Sequence, residues 1–351
     1  MNINLNTPAG DDTITINIIV GKANGFAQVE GLEGGSRLLS LEELETKADD
    51  EANADYSSCK GFDPKFMGFE TPLPALGKQL KRKVAALLFD RNNIVLKYHH
   101  FSSIHHAVRK MPVVSVINID GNPDKRDDDG ERKDRWMRDN RIDMDVQLTD
   151  SWYSKSGFDK GHMCRREDAD WGRTSAEAYR NAQLTCMYTN ACPQVPDLNR
   201  AIMGKHGLWG QLEQIVLEDG VEQENGKTTK ICVYNGPIFI STDPVYKGVQ
   251  VPLRFFKIIV WLNKAHEKKT TAFILSQEDL VSDISFEELQ FDEEFKEHQC
   301  SIEYLEKITD LTFTEIREWD TYKKASAKDK GVRRLKKDSL EDLIASNTKK
   351  K

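Results

Sequence analysis

The chain lacks any uninterrupted apolar stretch long enough for a membrane-spanning helix, and residues 1–21 have neither the basic start nor the continuous apolar centre of a secretory leader. These absences argue against a membrane protein. Cysteine is sparse and scattered. Cys59, Cys164, Cys186, Cys192, Cys232 and Cys300 form no CxxC pair, which argues against a zinc ribbon and for buried, reduced thiols. A cytoplasmic location is the expectation, with export by another route left open. An excess of positive charge is missing as well, since 50 Lys and Arg face 57 Asp and Glu for a formal charge of −7. That balance does not advertise a nucleic-acid binder. Phosphate contacts are local, however, and an acidic average does not forbid a basic cleft.

What is present is concentrated between positions 158 and 199: Phe158-Asp159-Lys160-Gly161-His162-Met163, then Thr189-Asn190-Ala191-Cys192-Pro193-Gln194, then Leu198-Asn199. This set supplies a base, a hard-metal ligand and their supports, the parts that phosphodiester hydrolysis requires. A phosphodiester is anionic and resists hydroxide, so its hydrolysis needs a positioned water, a group to take the proton, and positive charge where the oxygens gain charge. His162 suits proton transfer because imidazole titrates near neutral pH and can be held in one tautomer. Gly161 suits a turn where the backbone must bend sharply or approach a ligand closely. Asn199 offers a neutral amide oxygen for Mg²⁺, which keeps several waters and takes only one or two protein ligands beside substrate phosphate. Each residue also has a plain reading. A histidine beside glycine is by itself more often a turn or core residue, and Asn199 could cap a helix suggested by Trp209, Leu212, Ile215 and Val216.

The ordered set Gly157-Phe158-Asp159-Lys160-Gly161-His162-Met163, Tyr188-Thr189-Asn190-Ala191-Cys192-Pro193-Gln194, Leu198-Asn199-Arg200 and Trp209-Gly210-Gln211-Leu212-Glu213 resembles the DNA/RNA non-specific endonuclease family. Segments 233–239, 251–257 and 302–309 resemble its later strands and closing segment, so the likeness runs from about 97 to about 313 in the family's order. The resemblance implies the ββα-metal fold, an α+β architecture with a central, mostly antiparallel sheet flanked by helices. The base stands on the first strand of the motif and the metal asparagine at its helix. It further implies a Mg²⁺-dependent endonuclease acting on DNA and RNA, with Mn²⁺ able to substitute. His162 would be the general base and Asn199 the Mg²⁺ ligand. Asn190 would help hold the substrate and the site backbone, and Glu213 a metal-bound water. Asp159, Arg138 and Arg200 would contact substrate.

The sequence departs from the family pattern in two places. Lys160 stands where the family has arginine; it keeps the charge but loses the planar fork, so weakened activity is expected. Segment 203–208 reads as an insertion before Trp209, and its two glycines argue against one unbroken helix from Asn199 to Glu213. His206, beside Lys205, reads as an exposed loop residue. A further anion-stabilising arginine is expected from 132–141, with Arg135 chosen although a one-residue slip separates it from its neighbours. The turn signal Asp127-Asp128-Asp129-Gly130 makes the same cluster read as a solvated hairpin.

Three segments are expected. Residues 1–57 form an extension with a strand at 13–18, a helix opened by Ser40 and Glu43, and an acidic linker. Residues 58–320 form the endonuclease body. Residues 321–351 form a basic tail, in which 322–351 carry eleven Lys or Arg against four acidic residues. The tail reads either as a nonspecific nucleic-acid contact or as a frayed charged helix. Two other function classes stand beside the enzyme. One is a weakened pseudo-nuclease serving as a nucleic-acid- or partner-binding module, and the other is a regulated effector directed by residues 1–57. An intracellular nonspecific nuclease would threaten its own host, so control by a regulatory or inhibitory protein partner, by export, by compartment or by an activating signal is expected.

Overall fold

The structure, a computed structural model, describes residues 2–5, 14–17, 47, 50–126, 134–199, 201–202, 205–206, 230–263, 265–278, 297–324, 326 and 328–334. The chain divides into two compact units, 1–55 and 56–351. In the first, the alternating segment is a strand, Ile14–Asn17, paired antiparallel with Asn2–Leu5. The expected helix start at Ser40 and Glu43 lies outside the described residues.

The second unit is built on strands β1 (Val95–Lys97), β2 (Phe101–His106), β3 (Met111–Asp120), β4 (Asp159–His162), β5 (Ala191–Gln194), β6 (Lys230–Ile238), β7 (Arg254–Leu262), β8 (Lys268–Ser276), β9 (Glu297–Cys300) and β10 (Val332–Arg334). Eight of them form one sheet in the order β10-β9-β8-β7-β6-β3-β2-β1, every neighbouring pair antiparallel. The remaining two, β4 and β5, pair only with each other. Helices α1 (Asp150–Tyr153), α2 (Ser175–Gln183), α3 (Pro196–Asn199) and α4 (Ile302–Thr309) lie between and after the strands. This is an α+β architecture on a central antiparallel sheet.

Period-two alternation gives the sheet two faces of different character. Val114, Val116, Tyr234, Phe256, Ile258 and Ile274 lie in one apolar cluster with Phe62, Leu80, Ile302, Leu305, Phe313 and Ile316. On the opposite face, one cross-strand row is apolar, Phe101, Ile117, Val233 and Ile259, and the next is polar, Ser103, Ser115, Asn235 and Lys257. All four polar residues are buried, so they must hydrogen-bond within the protein. Ser115 Oγ donates to Ser103 Oγ at 3.1 Å, and Lys257 Nζ donates to Asn235 Oδ1 at 2.6 Å. Asp168 is buried in the same surroundings; burial raises its carboxyl, and the charges of Arg165 and Lys257 oppose that rise.

The body continues past Asp320. Thr321 N donates to the Thr270 carbonyl at 2.8 Å, Tyr322 OH to Asp329 at 2.9 Å, and Ser301 N to the carbonyl of Gly331 at 2.7 Å. Gly331 takes a φ of 88°, a left-handed conformation that glycine adopts without strain. The chain then enters β10 at the sheet edge, against β9. Part of the segment expected to be a basic tail is therefore an edge strand. Residues 335–351 lie outside the described residues.

Candidate active site

The pair β4–β5 and helix α3 follow one another around a small apolar and polar knot. Asp159 pairs with Gln194, Lys160 with Pro193, Gly161 with Cys192 and His162 with Ala191. Gly161 is needed for close approach and not for a turn, because a Cβ there would overlap the Gln194 carboxamide. Cys192, opposite it, is buried, and burial pushes its thiol well above the ordinary range. Gly157 turns the chain into β4 with a φ of 77°.

His162 ends the strand, half-buried. Its ring centroid lies 4.6 Å from that of Trp136, the planes tilted by 46°, and its Nε2 is 3.7 Å from Cys186 Sγ. Trp136 and Cys186 thus bracket the imidazole, and sequence reasoning missed both. Trp136 lies between Arg135 and Arg138 in a run where the arginines drew attention. Cys186 was read only as one more buried thiol.

Asn190 opens β5 and is fully buried. Its Oδ1 accepts from Cys164 N at 2.9 Å, and its Nδ2 donates to the carbonyls of Cys164 and Thr185 at 2.8 and 3.0 Å. Its own carbonyl accepts from Met163 N at 2.8 Å. These bonds clip the backbone just after His162 to the start of β5. Two tasks were expected of Asn190, holding substrate and holding the site backbone; the bonds its side chain makes here are to backbone groups. Thr189 anchors the same turn to the sheet, with its carbonyl accepting from Ser103 Oγ at 2.7 Å and its hydroxyl 2.5 Å from Tyr98 OH.

Asn199 lies at the end of α3, half-buried, with its amide N–H bonded to the Val195 carbonyl at 3.0 Å. The helix that Trp209, Leu212, Ile215 and Val216 suggested, which Asn199 was expected to cap, lies outside the described residues. Asn199 Nδ2 donates to Asp159 Oδ2 at 3.0 Å. A carboxylate oxygen accepts here, so the Nδ2 end of the carboxamide is the one that faces Asp159. Asp159, expected to touch substrate, holds Asn199 through Oδ2. After α3 the chain forms a short antiparallel pairing of Ala201–Ile202 with Lys205–His206, so these residues do not continue the helix. Arg200 and Glu213 lie outside the described residues.

Lys160 points to a partner the sequence did not signal. Its Nζ is 2.5 Å from Asp150 Oδ1 in the first turn of α1, and lies 5.5 and 5.8 Å from the ring centroids of Trp136 and Tyr188. Within the 132–141 cluster, Arg135 is exposed and Arg138 half-buried. Arg141 belongs to a structural network: it binds Asp139 through Nε and NH2 at 3.0 and 2.6 Å and stacks 3.9 Å from the Tyr56 ring centroid. Asp139, fully buried, also accepts from Tyr98 OH at 2.6 Å. Residues 132 and 133 lie outside the described residues.

Among the described residues no group of three or more His, Cys, Asp or Glu comes together to hold a metal ion. A hard divalent cation at this site would rest on the Asn199 amide oxygen, waters and substrate phosphate, a donor set that Mg²⁺ tolerates. The residues present fit that ion. Among the described residues, no helix is long and apolar enough to cross a membrane.

The model of the DNA/RNA non-specific endonuclease family matches residues 83–316. A protein named y4fB from Sinorhizobium fredii, otherwise uncharacterised, is 33% identical over 240 residues, covering 66% of this chain and 34% of that protein. A protein from Nostoc sp. named as a nuclease is 34% identical over 134 residues, 38% of this chain and 43% of that one. Human mitochondrial endonuclease G is 26% identical over 151 residues, 39% of this chain and 45% of that one. The chain therefore spans less than half the length of each of these relatives. With the match covering most of the body and both site strands, the chain belongs to the DNA/RNA non-specific endonuclease family.

Proposed function

We propose that this protein is a Mg²⁺-dependent endonuclease that hydrolyses phosphodiester bonds in DNA and RNA without sugar preference. The observation that carries the reading is the pairing of a bracketed His162 on β4 with an Asn199 carboxamide whose amide end is tied down by Asp159. A Nostoc relative named as a nuclease and human endonuclease G support the substrate class.

His162 takes the proton of the attacking water and holds it on the imidazole. The Trp136 ring and Cys186 sulfur limit the rotation of that imidazole, so the base meets the water in one orientation and little entropy is lost on the way to the transition state. Asn199 directs a neutral oxygen toward the substrate side, and Asp159 keeps it from turning. When bound there, a divalent cation supplies positive charge to the phosphate oxygens. Lys160 adds a second positive charge, and Arg135 and Arg138 are the next candidates on the neighbouring segment. Asn190 shapes the backbone that carries His162.

The pseudo-nuclease reading has one observation in its favour, the engagement of the Lys160 ammonium with Asp150. Nicking of supercoiled plasmid and cleavage of RNA, each with Mg²⁺ and with EDTA, tests the two readings against each other. Cleavage in Mg²⁺ that EDTA stops and His162→Ala removes supports the enzyme. Tight nucleic-acid binding without cleavage, in Mg²⁺ or Mn²⁺, would leave the binding module.

A further inference from the structure

An arginine carries its own geometry, because the guanidinium is planar and its donors are fixed in a fork. A lysine does not: its ammonium is a compact charge on a flexible four-carbon stem. A lysine at the motif position would present its charge over a wide arc unless something held it. Here three groups hold it. Asp150 Oδ1 lies 2.5 Å from Nζ, and the ring centroids of Trp136 and Tyr188 lie 5.5 and 5.8 Å away on the other sides. Trp136 is also the ring against which His162 leans, at 4.6 Å. One wall therefore sets the position of both the base and the cation.

Asp150 is itself firmly placed. It stands in the first turn of α1, and Lys247 Nζ donates to the carbonyls of Trp152 and Ser154, at 3.1 and 2.7 Å, at the far end of that turn. Tyr246 OH donates to the Lys155 carbonyl at 3.3 Å. The Asp150–Lys160 pair is not a buried structural ion pair, since the two side chains are 46% and 25% exposed. Pairs this exposed contribute little to stability. The ammonium keeps two further donors that the single contact with Asp150 does not use.

We propose that Asp150 is a positioning residue for Lys160, supplying from outside the fixed geometry that the family's arginine has intrinsically. The inference rests on the reading of Lys160 as a cation facing the scissile phosphate. Asp150 acts only through the ammonium it holds, touching neither phosphate nor water.

The test compares initial nicking rates of the full chain on one supercoiled plasmid at fixed Mg²⁺ and salt. The variants are Lys160→Ala, Lys160→Arg, Asp150→Ala and Asp150→Asn, together with Asp150→Ala in the Lys160→Ala and Lys160→Arg backgrounds. Asp150→Ala should lower kcat by about tenfold, with KM changed much less, because a misplaced charge is lost from the transition state more than from binding. Asp150→Asn, which keeps the size and a weaker acceptor, should fall in between and guards against a folding defect in the alanine variant. In the Lys160→Ala background the Asp150 change should have no further effect, and in the Lys160→Arg background it should cost about twofold or less, since contacting residues that act as one unit are not additive. Thermal midpoints of all variants are measured alongside. Asp150→Ala cleaving as fast as or faster than the parent would overturn the inference, showing a carboxylate that restrains the lysine. Equal losses in all three backgrounds would also overturn it, showing a role in the fold. If Lys160→Ala alone cleaved at the parent rate, the reading of Lys160 would fail and take the inference with it. An impaired Lys160→Ala beside an unimpaired Asp150→Ala would sink only the inference.

Discussion

Two asparagines flank β5, one at the turn that opens it and one in the helix that follows, and they use the same carboxamide in opposite ways. Asn190 is fully buried, and its amide joins three backbone groups of two segments. Asn199 is half-buried and bonded at one end, through Asp159. In a dry environment every lone pair and proton must find a partner, so a buried amide becomes a structural clip. At the solvent boundary, a carboxamide held at one end suits the ligand role we propose for Asn199. Burial and partners, more than residue type, separate scaffold from chemistry across the strand.

The largest effect expected is at the chemical extreme. His162→Ala should lower the cleavage rate by about 10² to 10⁴, the usual contribution of a positioned base, while its thermal midpoint stays within a few degrees of the parent. A variant turning over near the parent rate would break the division between the two regions.

Asn199→Ala comes next. Activity should fall at ordinary Mg²⁺ and return in part at high Mg²⁺ or in Mn²⁺, with stability unchanged. A metal-concentration profile matching the parent would move Asn199 to the scaffold side.

Asn190→Ala should do the reverse. It leaves a buried N–H and two buried carbonyls without their partners, a loss on the order of 3 kcal/mol at about 1–3 kcal/mol per group, read from the urea midpoint. Added metal should not restore its activity. Partial rescue by metal would blur the contrast.

A smaller effect separates scaffold from chemistry by pH. His105 is fully buried, its Nε2 2.8 Å from the Val146 carbonyl, and burial pushes its pKa down to about 4. The unfolded chain binds this proton near 6.5 and the folded chain only near 4. The stability contributed is complete above pH 6.5 and is lost as pH falls toward 4. His106, also lowered to about 4 by burial, adds to the trend. Asp243 opposes it, because burial holds its carboxyl up at about 6 and stability from that group grows as pH falls below that value. His100, lowered to about 4, and His99, lowered by burial, act in the same direction, while Asp168 and Asp320, raised by burial, side with Asp243; with four histidines losing their contribution below pH 6.5, the net expectation from pH 7.5 to 5.0 is a loss of stability on acidification. Urea midpoints at pH 7.5, 6.0 and 5.0 should decline, and His105→Gln should flatten the curve. An unchanged slope in that variant would count against the assignment.

Much of the site motif was legible because it is local. Residues 159–162 and 190–194 are contiguous runs whose residue types suggest their tasks, whereas the close approach that Gly161 permits is to the Gln194 side chain, which its own sequence neighbourhood does not indicate. The pairing of Asp150 with Lys160 was not legible. It joins the first turn of α1, a helix of four residues, to a strand with no periodicity to relate them. Trp136 was hidden for a similar reason: a tryptophan in a basic run reads as a surface aromatic until the chain is folded and its ring meets His162. The dual task expected of Asn190 depended on burial, which one residue's sequence neighbourhood does not specify. Val332–Arg334 went unseen as a strand because its charges outweigh the alternation in so short a segment.

The polar row beneath the site has a consequence for assembly. Sliding one strand by a single residue would send Lys257 or Asn235 into the layer that holds Phe256, Phe313 and Ile258, where an ammonium or amide would lose its partner and be heavily penalised. Mispaired sheets of this chain therefore reject themselves during folding. Since Thr189 docks on Ser103 in that same row, the site turn can seat only on a sheet that has passed this check.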